Sequence, residues 1–232
     1  MLNRSLLQDW IPQRHMARIL KTDAFDEAVG EGLFPFLRER GEEVHGVDIA
    51  PEAVREAAKR YPDFYVRCCD VRSLPYGDNS FDLIVSNSTL DHFTSELNID
   101  KSLQELTRVL KSGGELVISL DNLQNPIIAI RSILPFGLLK KMRLVPYFVG
   151  VTFGRRRLVA ALQRAGLTVL ETKATLHCPR FLAIPLAAIL NNRLESISQQ
   201  RFLNFLAWFE ALAKLPTRFF TGHFVAARAV KP

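Results

Sequence analysis

Two carboxylates stand where apolar segments of the sequence end. Asp48 follows the run 44–47, and Asp70 closes the run 64–69. At the carboxyl end of a parallel strand, an acid faces the crevice of the sheet and can accept hydrogen bonds from both ribose hydroxyls of a nucleotide. A strand-ending aspartate is also a good helix cap or turn residue, and this alternative remains open here. The first function to consider is binding of a nucleoside-containing cofactor.

The elements that would position these acids alternate between strand and helix. Parallel strands covered on both faces are nearly continuous apolar runs, and four such runs are present, at 44–50, 64–70, 81–87 and 115–120. Helices are predicted over 51–61 and 100–111, the second ending before Gly113 and Gly114. Further strands are expected at 168–175 and 223–230. The alternation predicts an α/β fold, doubly wound around a mostly parallel sheet.

Five segments, in this order and spacing, resemble the class I S-adenosylmethionine-dependent methyltransferases: 44–50, 69–76, 79–85, 90–93 and 103–119. The resemblance covers residues 17–120 closely and the remainder loosely. It implies a Rossmann-like, seven-stranded methyltransferase fold and S-adenosylmethionine as the cofactor.

The resemblance also implies roles for individual residues. Asp48 would bind the ribose hydroxyls and Ile49 would flank the adenine. Asp70 would accept a hydrogen bond from the adenine amino group, with Val71 beside it.

The resemblance also implies which residues line the wall of the cofactor pocket and which lie near the methyl group that is transferred. Ser86 and Asn87 would line the wall. A general base is needed only if the acceptor must lose a proton early, and the candidates for that role are His92, Asp91, Tyr147 and His177.

The first motif departs from the family pattern. Where the family has an acid followed by three alternate glycines, this chain has Lys21, and only Gly30 and Gly32 remain, several residues later. We expect Asp23 to supply the displaced carboxylate and bind the cofactor ammonium, and the two glycines to form a close turn before a helix over 33–40. The alternative is that Asp23 and its acidic neighbours merely charge a helix start favourably.

Length and composition are typical of one enzyme-sized domain. The chain has 232 residues, 48% of them hydrophobic, which is enough to bury a core as a single domain over 1–232. Residues 1–13 contain no continuous apolar segment, so a secretory signal is not expected. Three cysteines, two of them adjacent, predict a reducing, cytoplasmic location. No histidine and cysteine cluster has metal-ligand spacing, so no metal is expected.

The formal charge of +6 raises the question of a nucleic-acid partner. The basic residues are scattered, apart from the cluster 155–157 at the start of a helix predicted to run to Ala165. That cluster is either a solvated helix start or a contact for a phosphate or an anionic lipid. Because no nucleic-acid-binding module is recognisable, nucleic acid is not expected as a partner.

Two stretches, 126–151 and 176–222, are unusually apolar for insertions. The apolar runs of the second stretch, 181–190 and 202–209, are both shorter than the roughly twenty consecutive apolar residues that span a bilayer. They predict a helical cap, either packed solid over the sheet or lining an apolar pocket with peripheral membrane contact. In the second case, basic residues of the first stretch would meet anionic headgroups; these are Arg131, Lys140, Lys141 and Arg143.

These observations predict a methyltransferase that acts on a small acceptor, apolar or lipid-linked. A catalytically silent protein of the same fold, serving as a partner-binding subunit, remains the alternative because the first motif is altered. A nicotinamide-dependent oxidoreductase is disfavoured, since it needs a glycine-rich turn directly after the first strand and residues 22–29 contain no glycine.

Overall fold

A seven-stranded sheet forms the centre of the molecule, a computed structural model that describes residues 2–11, 14–141, 150–178, 204–206 and 208–232. The strands are β1 (Met16–Lys21), β2 (Gly41–Asp48), β3 (Phe64–Cys68), β4 (Phe81–Asn87), β5 (Leu110–Asp121), β6 (Thr168–Thr175) and β7 (Phe224–Val230). Their spatial order is β3-β2-β1-β4-β5-β7-β6. The strands from β1 to β5 pair in parallel, whereas β7 runs antiparallel to β5 and β6. The predicted fold class, a mostly parallel doubly wound sheet, is confirmed.

Helices flank this sheet. They are α1 (Leu2–Trp10), α2 (Phe25–Val29), α3 (Phe34–Arg38), α4 (Pro51–Arg60), α5 (Glu96–Val109), α6 (Pro126–Ile133), α7 (Phe136–Lys141), α8 (Arg155–Arg164) and α9 (Arg218–Thr221), with 3-10 turns at Leu90–His92 and Glu210–Lys214. The chain winds outward in opposite directions from β1 and β4. Their carboxyl ends therefore border the crevice where ligands bind in open α/β sheets.

The main helix over the sheet begins earlier than predicted. α5 starts at Glu96 rather than residue 100, because the Ser95 side chain accepts a hydrogen bond from the Leu97 backbone N–H and caps the helix. Its apolar stripe is completely buried against the sheet and comprises Ile99, Leu103, Leu106 and Val109. This stripe belongs to the same core cluster as Phe81 and Ile84 of β4 and Leu116 and Ile118 of β5.

The predicted cap is described only in part. Residues 142–149, 179–203 and 207 lie outside the described residues, and so do Arg143 and Tyr147. The first stretch contributes α6 and α7, and the second contributes the turn Glu210–Lys214 and α9. Within the parts of the chain that the structure describes, every helix is too short or too polar to cross a membrane.

The last strand of the chain lies one position in from the edge of the sheet. β7 pairs with β5 on one side and β6 on the other. Directly after it, the Lys231 ammonium donates to the Thr107 and Leu110 carbonyls at 2.8 Å and to Asn79 Oδ1 at 2.9 Å. These contacts join the end of β7 to the junction between α5 and β5.

We expect Gly46→Ala to destabilise the protein by about 1–3 kcal/mol through overpacking. A Cβ atom at this β2 position would lie 2.2 Å from Phe64 Cζ, and the Phe64 ring is itself held against Phe34, with 4.9 Å between ring centroids. Gly77→Ala is the matched control, because its Cβ would meet nothing closer than 3.8 Å. Urea denaturation of both variants measures the difference, and equal stabilities would contradict this account.

Candidate functional site

Polar side chains join the carboxyl ends of β1 and β4. The Thr22 hydroxyl donates to Ser86 Oγ at 3.0 Å and lies 2.8 Å from Thr89 Oγ1. The Ser119 hydroxyl donates to Asn87 Oδ1 at 2.5 Å. Ser86 is almost fully buried and Asn87 is half-buried. The two residues predicted to line a pocket wall therefore lie at the edge of the crevice.

Asp48 connects the end of β2 to the loop that follows β1. Its Oδ2 accepts the Ala24 N–H and its Oδ1 accepts the Ala50 N–H, each at 2.9 Å. Each carboxylate oxygen can accept two hydrogen bonds, so each has a further acceptor position. Asp48 is half-buried, and Ile49 beside it is 68% exposed. The pair thus offers a carboxylate and an apolar surface side by side.

Asp70 is engaged by a neighbouring arginine. The Arg72 backbone N–H and Nε both donate to Oδ1, at 2.8 and 3.0 Å, while Nε and Nη2 donate to Oδ2 at 3.0 and 2.5 Å. The hydrogen bonds from Arg72 hold the pKa of the Asp70 carboxyl below its usual value. Val71 beside it is buried. Any ligand that uses Asp70 must therefore share this carboxylate with Arg72.

Lys21, which replaces the family's acid, is completely buried at the end of β1. Its ammonium donates to the Asp23 carbonyl at 2.7 Å, to Asp23 Oδ2 at 2.9 Å and to Glu27 Oε2 at 2.8 Å, which uses all three of its donors. Burial by itself would lower the pKa of Lys21, but the negative charges of Asp23 and Glu27 outweigh it and raise the pKa. The lysine therefore stays charged.

Glu27 is the functional-site residue that sequence reasoning missed. Its side chain is fully buried, and while Oε2 binds Lys21, Oε1 accepts the Leu33 N–H at 2.7 Å and the Phe34 N–H at 3.1 Å at the start of α3. Gly32 has φ +62°, and a Cβ atom there would lie 2.4 Å from Glu27 Oε1. The signal available in the sequence was an acid six residues after a lysine and shortly before a glycine.

The two glycines of the altered motif have different tasks. Gly32 provides the left-handed backbone and the space that Glu27 requires. Gly30 ends α2, where its N–H donates to the Asp26 carbonyl at 2.8 Å. They form the expected close turn before a helix, although α3 is shorter than predicted, at Phe34–Arg38.

Asp91 lies within the protein rather than at an open surface. It is 1% exposed, and its Oδ2 accepts the Ser88 hydroxyl and the Asp121 backbone N–H, each at 3.0 Å. Burial, and after it the nearby Asp121 carboxylate, raise the pKa of Asp91. These contacts tie the turn after β4 to the end of β5.

The remaining candidate bases differ in their surroundings. His177 is 2% exposed, with Nδ1 2.7 Å from Thr221 Oγ1 and Nε2 3.2 Å from the Ala174 carbonyl, so both ring nitrogens serve the packing of β6 against α9. His92 is exposed on the turn after β4.

A cavity of about 350 Å³ is bordered by α6, by α7 and by the segments that follow β4 and β5. It is lined by Thr94, Leu123, Arg131, Ser132, Leu134, Phe136, Leu139, Gly150, Val151, Thr152 and Arg157. The backbone closes one side, where the Gly150 and Val151 N–H groups donate to the Asp91 and Phe93 carbonyls at 2.7 Å. Sites for small molecules have volumes of this order.

We expect Lys21→Met to cost about 3–5 kcal/mol of stability, because it leaves the Glu27 carboxylate buried without its counter-ion. A pKa raised in the folded state means that the stabilisation is complete below the usual value of 10.5 and is lost as the pH rises through the raised pKa. The difference in unfolding free energy between wild type and variant should therefore be constant from about pH 6 to 9 and shrink only as the pH rises beyond 10.5.

The control for this prediction is Lys173→Met. Lys173 forms a surface ion pair with Asp9 at 3.1 Å, and such pairs contribute about 0–1 kcal/mol. If the Lys21→Met variant were as stable as the control, the ion pairs of Lys21 with Asp23 and Glu27 would not contribute to the stability of the fold. In the double variant Lys21→Met, Glu27→Gln, we expect partial recovery because the unpaired charge is removed.

Comparison with known proteins agrees with this geometry. Residues 26–118 match the family model described as a methyltransferase domain. A malonyl-(acyl-carrier protein) O-methyltransferase of Halorhodospira halophila is 33% identical over 120 residues, which are 49% of this chain and 38% of that relative. The chain thus spans less than half the length of that curated relative.

Solved structures share the whole architecture at low identity. Haemonchus contortus phosphoethanolamine N-methyltransferase 2, in complex with phosphomonomethylethanolamine and S-adenosylhomocysteine, aligns with a TM-score of 0.66 at 20% identity, covering 99% of this chain and 52% of the other. The (4+2)-cyclase SpnF aligns with a TM-score of 0.66 at 19% identity, covering 99% and 80%. Residues 26–118 thus match a methyltransferase domain by sequence, and the chain shares the fold of these solved structures.

Proposed function

We propose that the chain binds S-adenosylmethionine at the carboxyl ends of β1, β2 and β4 and transfers its methyl group to a small acceptor, apolar or lipid-linked. The observation that carries this proposal is the placement of Asp48, half-buried at the end of β2 with acceptor positions left on both oxygens. Two ribose hydroxyls match those positions. The match of residues 26–118 to methyltransferase domains supports it.

At the adenine end, Ile49 provides the apolar surface on which a base would lie. Asp70 would accept from the adenine amino group only by sharing its oxygens with Arg72, whose Nη1 also donates to Asn98 at 3.0 Å. Val71 would contribute its backbone beside the ring. Arg72 is therefore part of the adenine end in this proposal.

At the methionine end, Asp23 is the acid for the cofactor ammonium. Its side chain is 22% exposed, whereas those of Lys21 and Glu27 are fully buried. Only Asp23 of these three can therefore reach a ligand. Lys21 and Glu27 act as positioning residues that hold Asp23 and the Gly30–Gly32 turn in place.

The reaction requires mainly alignment. When bound, the cofactor supplies an activated methyl group on a sulfonium. Holding an acceptor in line with it can remove several kcal/mol of barrier, on the order of 7–11 in well-oriented systems. Ser86, Asn87 and the Thr22 hydroxyl would shape the wall that keeps the two reactants in register.

An apolar acceptor is supported by the lining of the cavity. Five of its lining residues are apolar side chains: Leu123, Leu134, Phe136, Leu139 and Val151. The name of the Halorhodospira halophila relative gives a malonyl group on an acyl-carrier protein as the methyl acceptor, which supports a small or lipid-linked substrate. A catalytically silent partner-binding subunit is not favoured by these relatives.

We expect Asp48→Ala to weaken S-adenosylmethionine binding about ten- to a hundredfold, since a charge-assisted hydrogen bond contributes roughly 1.5–3 kcal/mol. Titration calorimetry with S-adenosylmethionine and S-adenosylhomocysteine measures it, with NAD as the negative ligand. Glu52→Ala, an exposed acid on the adjacent α4, is the matched variant. If a folded Asp48→Ala protein bound S-adenosylmethionine with unchanged affinity, the proposed cofactor site would be wrong.

We expect Asp23→Asn to reduce affinity for S-adenosylmethionine while adenosine binding stays nearly intact, because adenosine lacks the amino-acid portion. Asp26→Asn, an exposed neighbour on α2, controls for the general loss of negative charge. Equal losses for both ligands would indicate that Asp23 only supports the loop through Lys21.

A further inference from the structure

A partly satisfied guanidinium lines the cavity. Arg131 lies on α6 with its side chain 16% exposed, and its Nη2 donates to Asp121 Oδ2 at 2.5 Å. This ion pair gives Arg131 a partner inside the protein, and its predicted contact with lipid headgroups stays a prediction. A guanidinium carries five N–H donors, and within the described parts of the chain the contact with Asp121 engages Nη2, so the other donors are available to an oxygen-bearing ligand in the cavity.

Asp121 fixes that guanidinium at the end of β5. It is 4% exposed, lies 3.4 Å from His223 Nε2, and its backbone carbonyl accepts the Thr152 hydroxyl. Burial opposes ionisation of Asp121, but His223 and the positive charge of Arg131 outweigh it and lower the pKa of the carboxyl. Asp121 thus remains a carboxylate at neutral pH and holds Arg131 in a fixed orientation.

The charge of the lining favours an anion. The charged side chains among the described lining residues are Arg131 and Arg157, and none of those residues is acidic. Arg157 forms an ion pair with Glu96 at a half-exposed position. Guanidinium groups donate charge-assisted hydrogen bonds to carboxylates, and five of the other lining residues are apolar: Leu123, Leu134, Phe136, Leu139 and Val151. A molecule with an apolar body and a terminal carboxylate matches both parts.

The lining also restricts the chemistry of the acceptor atom. Its described polar side chains, apart from the two arginines, are hydroxyls: Thr94, Ser132 and Thr152. Asp91 and His177 are buried in networks of their own. Among the described lining residues there is thus no carboxylate or imidazole to serve as a general base. An acceptor that is already nucleophilic suits this lining, and a carboxyl group, with a pKa near 4, is ionised at neutral pH.

Resting on the function proposed above, we propose that the acceptor is an apolar carboxylic acid held by Arg131 and methylated on its carboxylate. One carboxylate oxygen accepts from the guanidinium, and a lone pair of the other forms the new bond to the methyl carbon. The bond between sulfur and that carbon breaks, and its electron pair stays on sulfur. The products are a methyl ester and neutral S-adenosylhomocysteine, and no proton is released.

Binding of a probe acid tests the recognition step. Octanoate is titrated into wild type, Arg131→Gln and the control Arg164→Gln, each with S-adenosylhomocysteine present, and octanamide serves as the neutral analogue. Arg164 is an exposed residue paired with Asp100 away from the cavity. We expect Arg131→Gln to weaken octanoate binding about ten- to a hundredfold and to leave octanamide binding within about twofold, with Arg164→Gln like wild type. Equal binding of acid and amide by wild type would overturn the proposal.

Two further measurements keep the test valid if Arg131→Gln does not fold and identify the group that is methylated. Leu134→Trp, at a lining position that is 36% exposed, should fill the cavity and abolish octanoate binding even if Arg131→Gln does not fold. Mass spectrometry with S-adenosylmethionine should detect methyl octanoate from octanoate and no methylated product from octyl phosphate. Intact S-adenosylhomocysteine binding without octanoate binding overturns this inference alone, whereas loss of S-adenosylhomocysteine binding in wild type overturns the proposed function.

Discussion

An ammonium group with no access to water must be surrounded by anionic and carbonyl oxygens. At Lys21 this requirement determines how the loop at the carboxyl end of β1 is arranged, where the cofactor would bind. Asp23 and Glu27 supply the charges, and Glu27 passes the constraint on by accepting the first two N–H groups of the turn into α3. Gly32 follows because no side chain fits beside that carboxylate. The loop after β1 is thus held by the ion pairs of Lys21 with Asp23 and Glu27, where the family has three alternate glycines.

Most of the sheet could be predicted because a strand is recognisable from the sequence of a short segment. The parallel strand Phe81–Asn87 and the antiparallel strand Thr168–Thr175 both have the expected bounds, since residue content and flanking turn residues are properties of short segments. The predicted start of β5 at residue 115 was wrong by five residues, because Gly113 and Gly114 were interpreted as a helix stop although they lie within the strand, which begins at Leu110. Positive φ at Gly113 permits both interpretations.

The site was predictable at Asp48 and less so elsewhere. Asp48 ends a strand, which the sequence displays, whereas the partners of Lys21 and Asp70 are set by where loops fold back. Glu27 and Arg72 were missed for this reason, as was the inward direction of Arg131. Side-chain pairing of this kind depends on three-dimensional packing, and no periodicity in the chain records it.

The position of β7 has a consequence for how the chain folds. β6 touches the rest of the sheet only through β7, which lies between it and β5. During synthesis, β5 and β6 therefore expose unpaired backbone edges until residues 224–230 leave the ribosome, and pairing across more than a hundred residues closes slowly. Exposed edges of this kind are where nascent chains associate wrongly. Expression at lower temperature or with chaperones should thus raise the soluble yield by protecting this late step.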